Sequence, residues 1–189
     1  MPIVQTQWFT WPHAVSFSRV FLAMMVAYLA GDNGYAKICL LLIALACVTD
    51  VLDGALARYL DQQTGLGCMI DPVCDAFFLI WVYSALVFYG AVPWPFFMLV
   101  FIRYFLLMLV HFYLYHLGYT RLGALWSGKV CAFCCVCFLV MVFVHKAYPL
   151  LLSASVLSLV LGVVQAVLLL SFAEYMWRYF RLLREYSRD

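Results

Sequence analysis

Apolar residues run along this chain in six long stretches, roughly 15–31, 36–60, 70–90, 92–117, 123–145 and 149–177, parted by breaks of only a few residues. A hydrocarbon core is crossed by about 20 mostly apolar residues in helical form. The breaks are rich in Gly, Pro and charge: Gly31-Asp32-Asn33-Gly34, Asp61-Gln62-Gln63-Thr64-Gly65, 90–93, 118–121 and 145–149. Connections this short force antiparallel neighbours. The expectation is an all-α integral membrane protein, with six transmembrane helices in one bundle. Composition removes the soluble alternative. Of 189 residues 68% are hydrophobic and 11% charged, and the mean hydropathy is +1.03. An ordinary soluble domain is about half apolar and about a quarter charged, and so short a chain has too much surface for its volume to hide the excess. Residues 1–189 read as a single membrane domain.

The net charge of +2 points to no nucleic-acid partner. Where the cations sit says more. Arg58, Arg121, Arg178, Arg181, Arg184 and Arg188 fall on one side of the predicted bundle with the N-terminus, and Lys37 and Lys146 on the other. The positive-inside rule makes the first side cytoplasmic, with both termini inside. Residues 1–13, with Trp8, Phe9 and Trp11, suit an interfacial helix. The basic tail, 178–189, interleaves Tyr179, Phe180, Leu182 and Leu183 with arginine, and suits a helix end at anionic headgroups. No basic n-region with a small-residue cleavage site is present, so no signal peptide is expected. Nearly all eight cysteines, including the C-x-x-C at Cys131 and Cys134, lie in apolar runs with no polar neighbours to complete a metal or redox site. They read as small hydrophobes.

Acids are scarce: seven aspartates and two glutamates, of which Asp50, Asp53, Asp61, Asp71 and Asp75 crowd into 26 positions. An unpaired carboxylate in a span is costly, so such acids mark function. At about 100° per residue, Asp50, Asp53, Gly54, Ala57 and Arg58 share one face of the second span, within an arc of roughly 140°. Asp71 and Asp75 are one turn apart on the third. The tight hairpin between lets the two carboxylate pairs face each other. Four like charges in one place need cations to stay ionised. Oxygen ligands without His or Cys select a hard ion, Mg²⁺ or Mn²⁺. Gly54 and Ala57 leave the face bare, and Arg58 sets a planar cationic fork beside it for phosphate oxygens. A structural Asp–Arg network would account for one or two acids but not four. A cation channel would place acids deep on several helices, whereas these lie on two adjacent helices near one interface.

Residues 50–75 reproduce D-x-x-D-G-x-x-A-R, eight residues, then G-x-x-x-D-x-x-x-D, and so resemble the CDP-alcohol phosphatidyltransferase family at all eight fixed positions. The resemblance looks closest to the phosphatidylglycerophosphate synthase branch, through Pro12-His13-Ala14-Val15-Ser16-Phe17-Ser18-Arg19 and Ser127-Gly128-Lys129. It implies six membrane helices, an N-terminal interfacial helix and a homodimer. It implies that Asp50, Asp53, Asp71 and Asp75 hold two metal ions, with Asp75 also the general base toward the acceptor hydroxyl. Asp50, Gly54, Ala57, Arg58, Thr64 and Gly67 would shape the CDP pocket, and Arg103, His111 and Lys129 would hold the acceptor. The implied reaction moves a phosphatidyl group from CDP-diacylglycerol to an alcohol, first of all glycerol 3-phosphate, and releases CMP. A cardiolipin synthase or an inositol-phosphate-type acceptor comes next. The acceptor segment departs from the family pattern: Tyr104 stands for a glutamate, His111 for an arginine, and Cys131-Ala132 for Lys-Thr. The localisation implied is a bacterial inner membrane with the active site on the cytoplasmic side.

Overall fold

The structure, a computed structural model, describes residues 11–59, 67–116 and 126–186. Among them the elements are six α-helices and one 3₁₀ turn, with no strand: α1 Trp11–Leu29, the turn Asn33–Tyr35, α2 Ala36–Tyr59, α3 Gly67–Phe88, α4 Trp94–His116, α5 Trp126–Ala147 and α6 Ala154–Tyr186. Each follows one predicted apolar run, but two boundaries move. Helix α1 begins at Trp11, so residues 11–13, assigned above to an interfacial segment, form its first turn; residues 1–10 lie outside the described residues. Helix α6 continues nine residues past the predicted end of its span, because Arg178 to Tyr186 contain no Gly or Pro and are good helix formers.

Short connections carry their own stop signals. Asp32 Oδ1 accepts from the Gly34 amide at 2.8 Å and caps the 3₁₀ turn. Gly90 closes α3 at φ 71, and the Ala91 amide reaches back to the Leu86 carbonyl at 2.8 Å, a left-handed cap that glycine adopts without Cβ strain. The His145 Nδ1 donates to the Leu152 carbonyl (2.7 Å) and ties the end of α5 to the approach of α6.

The helices pack in a ring, α1–α2–α5–α6–α4–α3 and back to α1, with α3 also touching α5 across the middle. An aromatic cluster fills the centre: Tyr83 meets Phe96 edge-on with ring centroids 5.2 Å apart, and Phe96 lies 5.2 Å from Phe138. The Tyr83 hydroxyl donates to the Cys135 carbonyl (2.7 Å), which satisfies the phenol and pins α3 to α5. Outward, Phe21, Leu41, Phe133, Leu159 and Leu170 are each more than two-thirds exposed on α1, α2, α5 and α6. Apolar belts of this extent require an apolar medium. Among the described residues two helices are long and apolar enough to cross a membrane, Trp126–Ala147 and Ala154–Arg181; the apolar parts of the other four are shorter. Four of the described cysteines, Cys39, Cys74, Cys131 and Cys135, are buried in the packing.

Lys37 and Lys146 fall at one end of the ring. Lys146 Nζ donates to the Ala30 carbonyl, and Lys37 Nζ sits 5.1 Å from the Tyr148 ring centroid. The end of α2 at Tyr59 and the start of α3 at Gly67, here the hairpin end, are at the opposite end.

Candidate active site

Helical rise sets the depth of each position. The Cys39 thiol meets the Val26 carbonyl, linking α1 and α2. From that contact Arg19 lies about 10 Å toward the hairpin end along α1, and Asp50 about 16 Å along α2. On α3, Asp71 is about 6 Å outside Asp75. Antiparallel packing therefore brings the backbones of Asp50 and Asp71 to one level, with Asp75 and Arg19 a turn deeper and Asp53 a turn further out. Gly54, Ala57 and Arg58 occupy the last turns of α2 and Gly67 starts α3. The side chains of Asp50, Asp53, Gly54, Ala57, Arg58, Gly67 and Asp71 lie outside the described part of the structure, as does Thr64 entirely. Among the described residues no group of three or more His, Cys, Asp and Glu side chains is placed to hold a metal.

Asp75 is the one member of the quartet whose side chain is described. Its Oδ1 forms an ion pair with Arg19 Nη1, and the side chain is 49% exposed while that of Arg19 is 3% exposed. The buried arginine thus holds a carboxylate that stays half exposed. Sequence reasoning quoted Arg19 within a motif and assigned it no role, although a cation four residues into a predicted span was itself a signal. The donor set suits a hard divalent cation, being carboxylate oxygen throughout, with Asp75 accessible.

A second polar group lies between α4, α5 and α6. Arg103, 3% exposed, donates from Nη2 to Ser171 Oγ at 3.2 Å and stacks 4.9 Å from the Tyr104 ring centroid. Counting from the Tyr83–Phe96 contact puts Arg103 about 10 Å and Asp75 about 12 Å toward the hairpin end. Counting from the Tyr83–Cys135 bond puts Lys129 about 9 Å that way. The three share one layer of the bundle. Lys129 turns outward in it: the residue is exposed, with Nζ 5.4 Å from the Trp126 ring centroid. His111 stands two turns past Arg103 on α4, and its side chain lies outside the described part.

Gly128 has a packing reason of its own. A Cβ there would crowd the Tyr175 hydroxyl and lie 3.0 Å from Cε2, so the Tyr175 ring of α6 rests on α5 where the side chain is absent. Gly128→Val is expected to cost about 1–3 kcal/mol, read as a lower thermal midpoint of the solubilised protein. An unchanged midpoint would show that the two helices do not meet there.

The family profile described as CDP-alcohol phosphatidyltransferase matches residues 9–173, a stretch that takes in α1 to α5, the first part of α6 and both polar groups. The chain belongs to the CDP-alcohol phosphatidyltransferase family. Members are phosphatidyltransferases of the membrane. The chain is similar to human cardiolipin synthase (CMP-forming), 34% identical over 87 residues, 46% of this chain and 29% of the relative. It is similar to a CDP-diacylglycerol–glycerol-3-phosphate 3-phosphatidyltransferase of Aquifex aeolicus, 36% over 67 residues, 35% of this chain and 37% of the relative. A putative cardiolipin synthase of Mycobacterium tuberculosis is 28% identical over 134 residues, 69% of this chain and 63% of the relative. The chain thus spans less than two thirds of each of these relatives.

Proposed function

We propose that this CDP-alcohol phosphatidyltransferase transfers a phosphatidyl group from CDP-diacylglycerol to a phosphate-bearing alcohol and releases CMP, in phospholipid synthesis. The observation that supports this most is the complete eight-position signature on the two arms of one helical hairpin, inside the region matched by the family. In this reading all six helices span the membrane, the hairpin end is cytoplasmic, the protein is a homodimer, and the cell is bacterial with the enzyme in its inner membrane.

The residues divide the work. Asp50, Asp53, Asp71 and Asp75 hold Mg²⁺ or Mn²⁺, which when bound offsets the charge of the pyrophosphate and of the departing CMP. Gly54, Ala57, Thr64 and Gly67 leave room for the nucleotide, and Arg58 binds its phosphates. Asp75, held by Arg19, takes the proton of the acceptor hydroxyl as its oxygen attacks the lipid phosphorus. Arg103 holds the acceptor's own phosphate, with His111 and Lys129 at its edge.

Two acceptors fit. Glycerol 3-phosphate follows from the resemblance at Ser127-Gly128-Lys129. Phosphatidylglycerol is favoured by the relatives named cardiolipin synthase, one of which aligns with 69% of this chain. Purified protein given CDP-diacylglycerol and Mg²⁺ with each acceptor in turn is expected to release CMP with at least one of them. Silence with every phosphate-bearing alcohol, in folded protein, would sink the reading.

A further inference from the structure

In the sector between α4, α5 and α6, three buried polar atoms have no hydrogen-bond partner: Arg103 Nε, Tyr104 Oη and Ser127 Oγ. Buried donors left unmade are costly, and the more so where surrounding lipid supplies no water. Arg103 is held by a neutral hydroxyl, Ser171 Oγ at 3.2 Å, and covered by a neutral ring. The thiol of Cys131 adjoins both Arg103 and Ser171, and Ser127 is one turn from Cys131 along the same face of α5. Among the described residues the nearby acids are engaged or turned away. Asp75 is paired with Arg19, and Glu174, one turn beyond Ser171 on α6, is exposed. Lys129 faces outward over Trp126. Among the described residues the interior of this sector therefore carries one positive charge, two unfilled neutral donors and no second cation.

We propose that Arg103 and Tyr104 form a subsite for a single negative charge, and that Tyr104 is the specificity residue that favours an acceptor bearing a phosphodiester over one bearing a phosphomonoester. The inference rests on the phosphatidyl-transfer reading above and names its acceptor class, a lipid phosphate. A phosphomonoester, with its second pKa near 6, carries about −1.5 to −2 at neutral pH, whereas a phosphodiester carries one charge. One guanidinium balances the diester. The monoester would bring uncompensated charge into a low-dielectric interior, where desolvation outweighs a single ion pair. Arg103 Nε donates to one non-bridging oxygen and Tyr104 Oη to the other, so the phenol adds a hydrogen bond without adding charge.

The test uses the full chain in detergent with CDP-diacylglycerol and Mg²⁺, offered dioctanoyl phosphatidylglycerol and glycerol 3-phosphate in competition. Wild type is expected to favour the lipid in kcat/KM by roughly tenfold or more, and Tyr104→Phe to lose about that advantage with the KM for CDP-diacylglycerol unmoved. Tyr104→Lys supplies the missing cation and should shift preference toward glycerol 3-phosphate. In a second readout without donor, dioctanoyl phosphatidylglycerol should raise the thermal midpoint of wild type and not that of Tyr104→Phe. A wild-type preference for glycerol 3-phosphate, or one ratio shared by wild type and Tyr104→Phe, overturns the proposal. Should the lysine variant fail to fold, the phenylalanine comparison decides. If wild type releases CMP with neither acceptor, phosphatidyl transfer is the reading that fails; the thermal shift then decides the anion subsite alone, and an equal shift in both proteins assigns those donors to water.

Discussion

Asp75→Asn is expected to bring CMP release down by roughly 10³-fold or more, the range lost when a general base is removed, while the protein still inserts and extracts as a folded species. Asparagine keeps the shape of the side chain but cannot take a proton or bind a cation as a carboxylate does. The same change also removes the charge partner of Arg19, which is 3% exposed. Some loss of stability is therefore expected, moderated because Asp75 is itself half exposed. Comparison with Asp71→Asn separates the effects. Asp71 stands one turn out on α3, so its loss should silence the enzyme through the ligand set alone. The measurement is CMP released per folded protein, with size-exclusion profiles and thermal midpoints as controls. Turnover near normal in either variant would remove the roles assigned to these carboxylates.

Chelation should be as severe and, unlike mutation, reversible. EDTA is expected to abolish CMP release, and Mg²⁺ or Mn²⁺ to restore it. Ca²⁺ should restore it poorly, since its longer and looser coordination misplaces the groups that octahedral Mg²⁺ holds at about 2.1 Å. All four acids lie within about two turns of one another in depth by helical rise, and carboxylates gathered at one site repel without cations. A lower thermal midpoint in EDTA, recovered on adding Mg²⁺, would report binding independently of turnover. Activity that persists after thorough chelation would end the metal assignment.

Much of the architecture was legible because membrane helices announce themselves. Apolar runs of about 20 residues had to be helices, and turn residues such as Asp32 and Gly90 marked where they end. The motif acids were legible too, because a fixed spacing of three or four residues becomes a shared face as soon as the segment is helical. The ends of α1 and α6 were less so. Hydropathy marks where lipid stops, and a helix can run on past that point, as α6 does through Arg184.

Contacts between distant helices could not be read from spacing. Arg19 and Asp75 are 56 residues apart, and Arg103 and Ser171 are 68 apart. Their meeting depends on the ring order α1–α2–α5–α6–α4–α3, which six antiparallel runs leave open. The family resemblance also grouped Lys129 with Arg103 around the acceptor. In the bundle Arg103 points inward and Lys129 lies outward over Trp126. By itself, then, the sequence determined the helices, the medium and the acidic hairpin, because those follow from hydropathy and local periodicity. The tertiary structure alone decided that Arg19 braces Asp75 and that Arg103 turns inward while Lys129 does not, because helix rotation and neighbour choice are set by packing across the whole ring.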